Sequence, residues 1–286
     1  MTESVPAGEP EIVVVADPSA ASEAAARRIA SALAEAATNR GRADWLTTGG
    51  STPTGIYRRL AVAPLRDAVP WDRVHLWWGD DRFVPRDHPL SNVMPVDQVL
   101  LGVAAYSGQS GSGESGIDIA TGVRPGAPIP IANVHAMPIA KAIGEGYGPA
   151  LAAARYDGEL RALAATGGLD VASGFPVFDL VLLGLGPDGH LLSVFPGSPI
   201  WDAEAWVIDV PAPTHVEPHV ARITLHPSVL GVARRILVVA HGAAKAEVLA
   251  TILGPGRDAR RWPAQAARRA GAAWILDAAA AARLAS

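Results

Sequence analysis

The sequence predicts an α/β fold: a doubly wound, mostly parallel sheet with helices on both faces. Three observations carry that expectation. Strand-like and helix-forming segments alternate along the chain, the order that builds βαβ units. Most strand candidates are continuous apolar runs, as strands covered on both faces should be. The chain has 286 residues, 49% hydrophobic and 18% charged, which supplies a sizeable core and excludes global disorder. α/β chains of this length often form one domain and no internal repeat is found, so residues 1–286 are read as a single domain.

In chain order, residues 11–16 (EIVVVA) read as a short buried strand, and residues 22–37 as a helix with an apolar stripe. Strands follow at 43–48 (ADWLTT) and 74–79 (VHLWWG), separated by a helix near 53–65. A helix near 150–165 precedes the strongest apolar run, 178–186 (FDLVLLGLG). Residues 205–210 (AWVIDV), 234–242 (RRILVVAHG) and 271–277 (GAAWILD) complete the strands before an Ala-rich helical tail. One segment stands apart: residues 102–130 hold seven glycines and four serines with little periodicity, so they read as a flexible insertion that should be dispensable for folding.

Composition narrows the function classes. Net charge is −4, so there is no broad basic face for nucleic acid, and any bound anion needs a local site. Cysteine is absent, which removes disulfides, thiol nucleophiles and thiolate metal sites. The start MTESVPAGEPE lacks the cationic and apolar parts of a secretion signal, and no run approaches a membrane span. The expectation is a cytoplasmic protein, a monomer or small homo-oligomer, acting away from membranes.

Four strand-end segments could carry chemistry. In TTGGSTPTG (47–55), Gly49 and Gly50 allow close backbone approach, while Ser51, Thr52 and a helix N-terminus offer donors to phosphate. Pro53 occupies the last position of a G-x-S-x-G elbow, which weakens a serine-nucleophile reading. GLGPDGH (184–190) matches a dinucleotide fingerprint, yet Pro187, Pro196 and Pro199 prevent the long helix it requires. What that loop presents is Asp188 two residues from His190, a pair suited to a positioned general base. WWGDDRFVP (77–85) places Asp80, Asp81 and Arg82 after a strand, where Arg82 could hold a phosphate or an oxyanion. HGAAKAEVL (241–249) carries Lys245, one of only two lysines, and Arg222 in ARITLHP could join it. Metal ligation is poorly supported, because Pro218 breaks up the spacing of His215, Glu217 and His219. Together these residues describe a pocket for a phosphorylated small molecule with a histidine base nearby.

The set GGSTP, WWGDDRFVP…SN, FDLVLLGLGPDGH…SVFPGSP, RITL and GAAKAEVL, in that order, resembles the glucosamine-6-phosphate isomerase/6-phosphogluconolactonase family, on the lactonase side. The resemblance runs from about residue 11 to the terminal WILDAAAAARL. It implies hydrolysis of a sugar-phosphate lactone in the oxidative pentose phosphate pathway, on a doubly wound fold, with no metal and no cofactor. It further implies His190 as the base activating water, oriented by Asp188, and Arg82 as a substrate or charge-stabilising contact. Gly49, Gly50, Ser51, Thr52, Arg222 and Lys245 would surround the phosphate, with Asp80 beside the substrate. Three departures bear on specificity: Asp81 where the family usually has Glu, Leu191 and Leu192 in place of a small pair, and the long 102–130 segment. The alternatives are a glucosamine-6-phosphate deaminase and a non-catalytic sugar-phosphate sensor. Against the deaminase, the position five after the loop histidine is Phe195 rather than an acid, and Asp80-Asp81-Arg82 stands for Asp-Glu-Tyr. A sensor of the regulator type would carry an appended helix-turn-helix, for which one α/β domain of this size leaves no room.

Overall fold

The computed structural model describes residues 8–102 and 126–284. Its strands are β1 (Glu11–Val15), β2 (Ala43–Thr47), β3 (Val74–Trp78), β4 (Asp80–Arg82), β5 (Val134–His135), β6 (Val171–Ala172), β7 (Phe175–Pro176), β8 (Leu180–Leu183), β9 (Val207–Val210), β10 (Arg222–Leu225), β11 (Ile236–Ala240) and β12 (Ala272–Asp277). The α-helices are α1 (Pro18–Arg40), α2 (Ser51–Leu60), α3 (Ile139–Gly144), α4 (Pro149–Ala165), α5 (Val229–Val232), α6 (Ala246–Leu253) and α7 (Ala278–Ala281). Seven strands form one sheet in the order β1-β12-β11-β8-β2-β3-β5, every pairing parallel.

Alternate side chains of the central strands feed two separate cores, as the period of two requires. Trp45, Leu76, Trp78, Leu180, Leu182, Val239 and Ile275 join the face covered by α1 and α2. Leu46, Trp77, Val181, Leu183, Val238 and Trp274 join the face covered by α4 and α6. Helix α1 starts earlier than the expected 22–37 because Asp17 caps it, accepting from the Ala20 N–H at 2.8 Å with Pro18 in the first turn.

Four expectations change. The 11–16 segment is an edge strand rather than a buried one: Ile12 and Val14 are 40% and 54% exposed, because β1 has a neighbour on one side only. Residues 205–210 leave the parallel sheet; β9 joins β10 and β4 in a three-stranded antiparallel sheet. The segment is not fully buried like the central parallel strands: Ile208 is half-buried and Asp209 exposed, as an edge strand of a small sheet allows. The Asp80–Arg82 segment is accordingly a strand of that second sheet rather than a loop on the parallel sheet's edge. Of the expected 102–130 insertion, residues 103–125 lie outside the described residues. Its far end is not loop-like, since Ala127 is buried and its N–H donates to Leu100 O at 2.6 Å.

Candidate active site

Sheet order explains why distant segments meet. β11, β8, β2 and β3 are neighbours, so the loops leaving their carboxyl ends share one rim. The antiparallel sheet closes the rim from the side through β4 and β10. An open cleft of about 730 Å³ lies there, lined by Gly49, Gly50, Ser51, Thr52, Asp80, Arg82, His190, Arg222 and Lys245, among others. Every candidate residue except Asp81 and Asp188 therefore lines one cleft; Asp188 sits behind His190 and lines a smaller adjoining one.

The loop after β8 is built to present His190. Gly186 N–H donates to His190 O at 2.9 Å, and Gly189 turns the chain back with φ +81°, a conformation that favours glycine. A Cβ on Gly186 would fall 2.1 Å from His190 Nδ1, so only glycine lets the ring lie across the loop. His190 Nδ1 lies 2.5 Å from Asp188 Oδ1. Burial works to raise the Asp188 pKa, but the hydrogen bond and charge of His190 win and hold the carboxyl well below the usual carboxylate range. An ionised carboxylate only accepts, so the proton of this bond belongs to Nδ1, and Nε2 of a neutral ring is left as the basic nitrogen. Leu192, two residues on, has φ +54° and lines the cleft, a strained backbone for a bulky residue.

The loop after β2 is held from both sides. Tyr57 OH donates to Thr48 O and shares a 2.8 Å hydrogen bond with Thr47 Oγ1, which pins the loop to α2. Thr52 Oγ1 lies 3.0 Å from His241 Nε2 at the end of β11. Lys245 follows in the next turn; burial pushes its ammonium pKa down, against the attraction of Asp188. Free donors, a helix N-terminus and a half-buried ammonium converge here on one pole of the cleft.

At the other pole two arginines face each other. The register of β10 and β4 puts Arg222 directly opposite Arg82. Arg82 donates to Leu90 O at 2.8 Å and Arg222 to Pro218 O at 3.1 Å, while the Nε of each is buried without a hydrogen-bond partner. Burial, the larger effect, and the positive charge of Arg82 both push Arg222 down, with Asp80 opposing. Neither arginine forms an ion pair among the described residues, an arrangement that calls for an anion. Arg222 also lies 5.1 Å over the Phe195 ring.

Asp80 is a staple as much as a cleft wall. It accepts from Ser193 Oγ at 2.5 Å and Asn92 Nδ2 at 3.2 Å, tying the β8 loop to the 88–92 turn. Asp81 points away from the cleft and accepts the Asn92 and Arg82 N–H groups at 2.6 and 2.8 Å. Burial pushes it up to about 7, more than those hydrogen bonds pull it down. Sequence reasoning missed His241 and Asn92 as cleft residues and took His215 only as a weak metal candidate. Each had one signal, its place in a quoted segment: Asn92 in the SN pair and His241 at the head of HGAAKAEVL, although the contact of His241 with Thr52 is tertiary. Among the described residues no group of three or more His, Cys, Asp or Glu has the arrangement of a metal site. None of their helices is long and apolar enough to cross a membrane.

Comparison with known proteins bears on the family and the fold. Residues 16–275 match the family model described as glucosamine-6-phosphate isomerases/6-phosphogluconolactonase. A 6-phosphogluconolactonase of Streptomyces coelicolor is 34% identical over 279 residues, covering 96% of this chain and 95% of its own. The crystallised 6-phosphogluconolactonase of Trypanosoma brucei superposes with a TM-score of 0.77 at 27% identity, over 97% of this chain and 99% of its own. A monomeric glucosamine-6-phosphate deaminase shares the fold, with a TM-score of 0.68 at 18% identity over 96% of this chain and 99% of its own.

Proposed function

Because the chain belongs to the glucosamine-6-phosphate isomerase/6-phosphogluconolactonase family, we propose that its cleft hydrolyses 6-phospho-D-glucono-1,5-lactone to 6-phosphogluconate with water activated by His190. One observation carries the His190 assignment: Asp188 fixes the imidazole through Nδ1, which leaves Nε2 as the basic nitrogen of a residue lining a cleft rich in unpaired cations.

The reaction runs as follows. His190 Nε2 takes a proton from water as its oxygen attacks the lactone carbonyl, and Asp188 stabilises the imidazolium that forms. The carbonyl oxygen gains negative charge, which the guanidinium of Arg82 meets. The tetrahedral intermediate collapses with cleavage of the bond to the ring oxygen, which recovers the proton as a hydroxyl. One water is consumed and no covalent enzyme intermediate is needed, since the ester is already activated by ring strain. The phosphate sits at the pole of Gly49, Gly50, Ser51, Thr52 and Lys245, with Arg222 adding positive charge from the side wall.

Phe195 favours the lactonase over the deaminase. Aldose–ketose chemistry moves a proton between neighbouring carbons and draws on a further acid–base group, whereas Phe195 offers a ring 4.8 Å from that of His190 and no titratable proton. The deciding experiment is a hydrolysis assay with freshly made 6-phosphogluconolactone, corrected for spontaneous opening, beside an assay of ammonia release from glucosamine 6-phosphate. Turnover of the first and none of the second is expected; the reverse would overturn the reading.

A further inference from the structure

Asp188 has two oxygens, and His190 uses only one of them. The other, Oδ2, lies 3.0 Å from His215 Nε2. We infer that His215 is a positioning residue for the His190–Asp188 pair, holding the far oxygen of Asp188 so that the carboxylate cannot turn away from the base.

The carboxylate argument used above applies again: an ionised Asp188 only accepts, so His215 Nε2 carries the proton and donates it. Both rings also pack on Phe195, His190 at 4.8 Å and His215 edge-on at 5.5 Å, so an apolar ring fixes the spacing of the two imidazoles. His215 belongs to residues 211–221 between β9 and β10, which have no regular secondary structure and contribute Val216 and Glu217 to the cleft. Polar contacts of this strap include Phe83 N–H donating to Ala221 O at 2.7 Å, Arg222 donating to Pro218 O, His219 Nδ1 at 2.6 Å from Pro213 O, and the grip of His215 on Asp188. The contact of His215 with Asp188 is the one that reaches the proposed base.

The other charges around Asp188 are identifiable. Arg222 and Lys245 attract it across the cleft, where Asp80 and Arg82 form the facing wall. Glu217 on the strap is engaged with His219 at 3.1 Å, and Glu247 and Arg261 line the adjoining cleft. All of these persist when position 215 alone is changed, so substitutions there isolate the one contact. Removing His215 frees the carboxylate to turn away from His190, which weakens the contact that favours the imidazolium.

The inference rests on the lactonase reading for its kinetic test but has a second readout that does not. His215 is half exposed, so His215→Ala should fold. In that variant kcat should fall about three- to tenfold with KM within about twofold, because one orienting hydrogen bond is lost and the phosphate pole is untouched. The acid limb of the kcat/KM profile should move to lower pH, because the imidazolium has lost part of its counter-charge. His215→Gln, whose amide nitrogen can donate as Nε2 does, should recover most of both effects. Without substrate, the low-field proton signal of the His190–Asp188 bond, assigned by its absence in His190→Ala, should be sharp in wild type and His215→Gln and exchange-broadened in His215→Ala. An unmoved limb with an unchanged signal in His215→Ala would overturn the inference, as would His215→Gln behaving like His215→Ala. A wild type that fails to hydrolyse the lactone would overturn the functional reading instead, and the proton signal would still decide the role of His215.

Discussion

The two ends of the parallel sheet treat positive charge in opposite ways. At the amino ends of the strands most of the arginines are matched with acids: Arg42 with Asp44, Arg234 with Asp170 and Asp179, Arg235 with Glu35 and Arg28 with Glu11, whereas the buried Arg269 has only the Ala233 and Ala270 carbonyls. At the carboxyl ends, Arg82, Arg222 and Lys245 have no ion-pair partner among the described residues, and burial lowers both Arg222 and Lys245. A buried cation without a counter-ion costs folding energy, whereas a hydrogen-bonded pair roughly offsets its own desolvation. The same fold thus pairs most of its arginines at the end that only has to be stable, and leaves a cluster of three cations unpaired at the end where the proposed anionic substrate would complete the set.

The largest effect should come from the base inside the cationic end. His190→Ala should lower kcat about 10²–10⁴-fold while binding of 6-phosphogluconate, measured by calorimetry, survives through the separate phosphate pole. Near-wild-type turnover would make the loop histidine structural.

A matched pair of substitutions tests the contrast directly. Arg222→Met should lower kcat/KM by roughly 10²-fold and leave Tm unchanged or raised, since it removes a buried charge that has no ion-pair partner. Arg234→Met at the opposite end should leave kcat/KM within about twofold and cost about 1–3 kcal/mol by denaturant titration, because it strips a partner from Asp179, which is buried. Equal stability losses in the two variants would break the comparison.

Lys245→Ala should raise KM for the phosphorylated lactone roughly 10–100-fold with a smaller change in kcat, as expected for one charge-assisted contact. Unphosphorylated gluconolactone, a poor substrate throughout, should be insensitive to the change. An unaltered KM for the phosphorylated substrate would remove Lys245 from the phosphate pole.

The smallest effect concerns stability against pH beside the cleft. Asp81, raised from 3.8 to about 7 chiefly by burial, keeps a proton in the folded state that the unfolded chain releases. Its contribution is therefore full below about pH 4 and lost as pH rises through 7. At the far edge strand His135, lowered from 6.5 to about 4 by burial and by its neighbours His75 and Arg42, has the opposite sign: it favours the folded state above pH 6.5 and loses that contribution as pH falls through 4. Asp81→Asn should accordingly gain stability relative to wild type as pH rises from 6 to 8, by on the order of 1–3 kcal/mol in denaturant titrations at each pH. A difference that stays flat over that range would show that Asp81 is not protonated in the folded protein.

The residues divide by the range of the interactions that place them. The strands β2, β3, β8, β11 and β12 were legible because a run of large aliphatic residues must be covered on both faces wherever it goes. The loops 47–55 and 184–190 were legible because glycine, proline and small hydroxyl residues report local backbone geometry and donors. Asp188 and His190 are two residues apart, so their pairing was visible without a fold. Contacts between distant segments left no such trace. The exposed edge position of β1, the transfer of 205–210 and Asp80–Arg82 to a second sheet, the meeting of Arg82 with Arg222, and the grips of His241 on Thr52 and of His215 on Asp188 were decided only by tertiary structure. Each depends on which strands become neighbours, and strand order is set by how two whole cores pack on one sheet, a free energy summed over many residues that no local stretch of sequence contains.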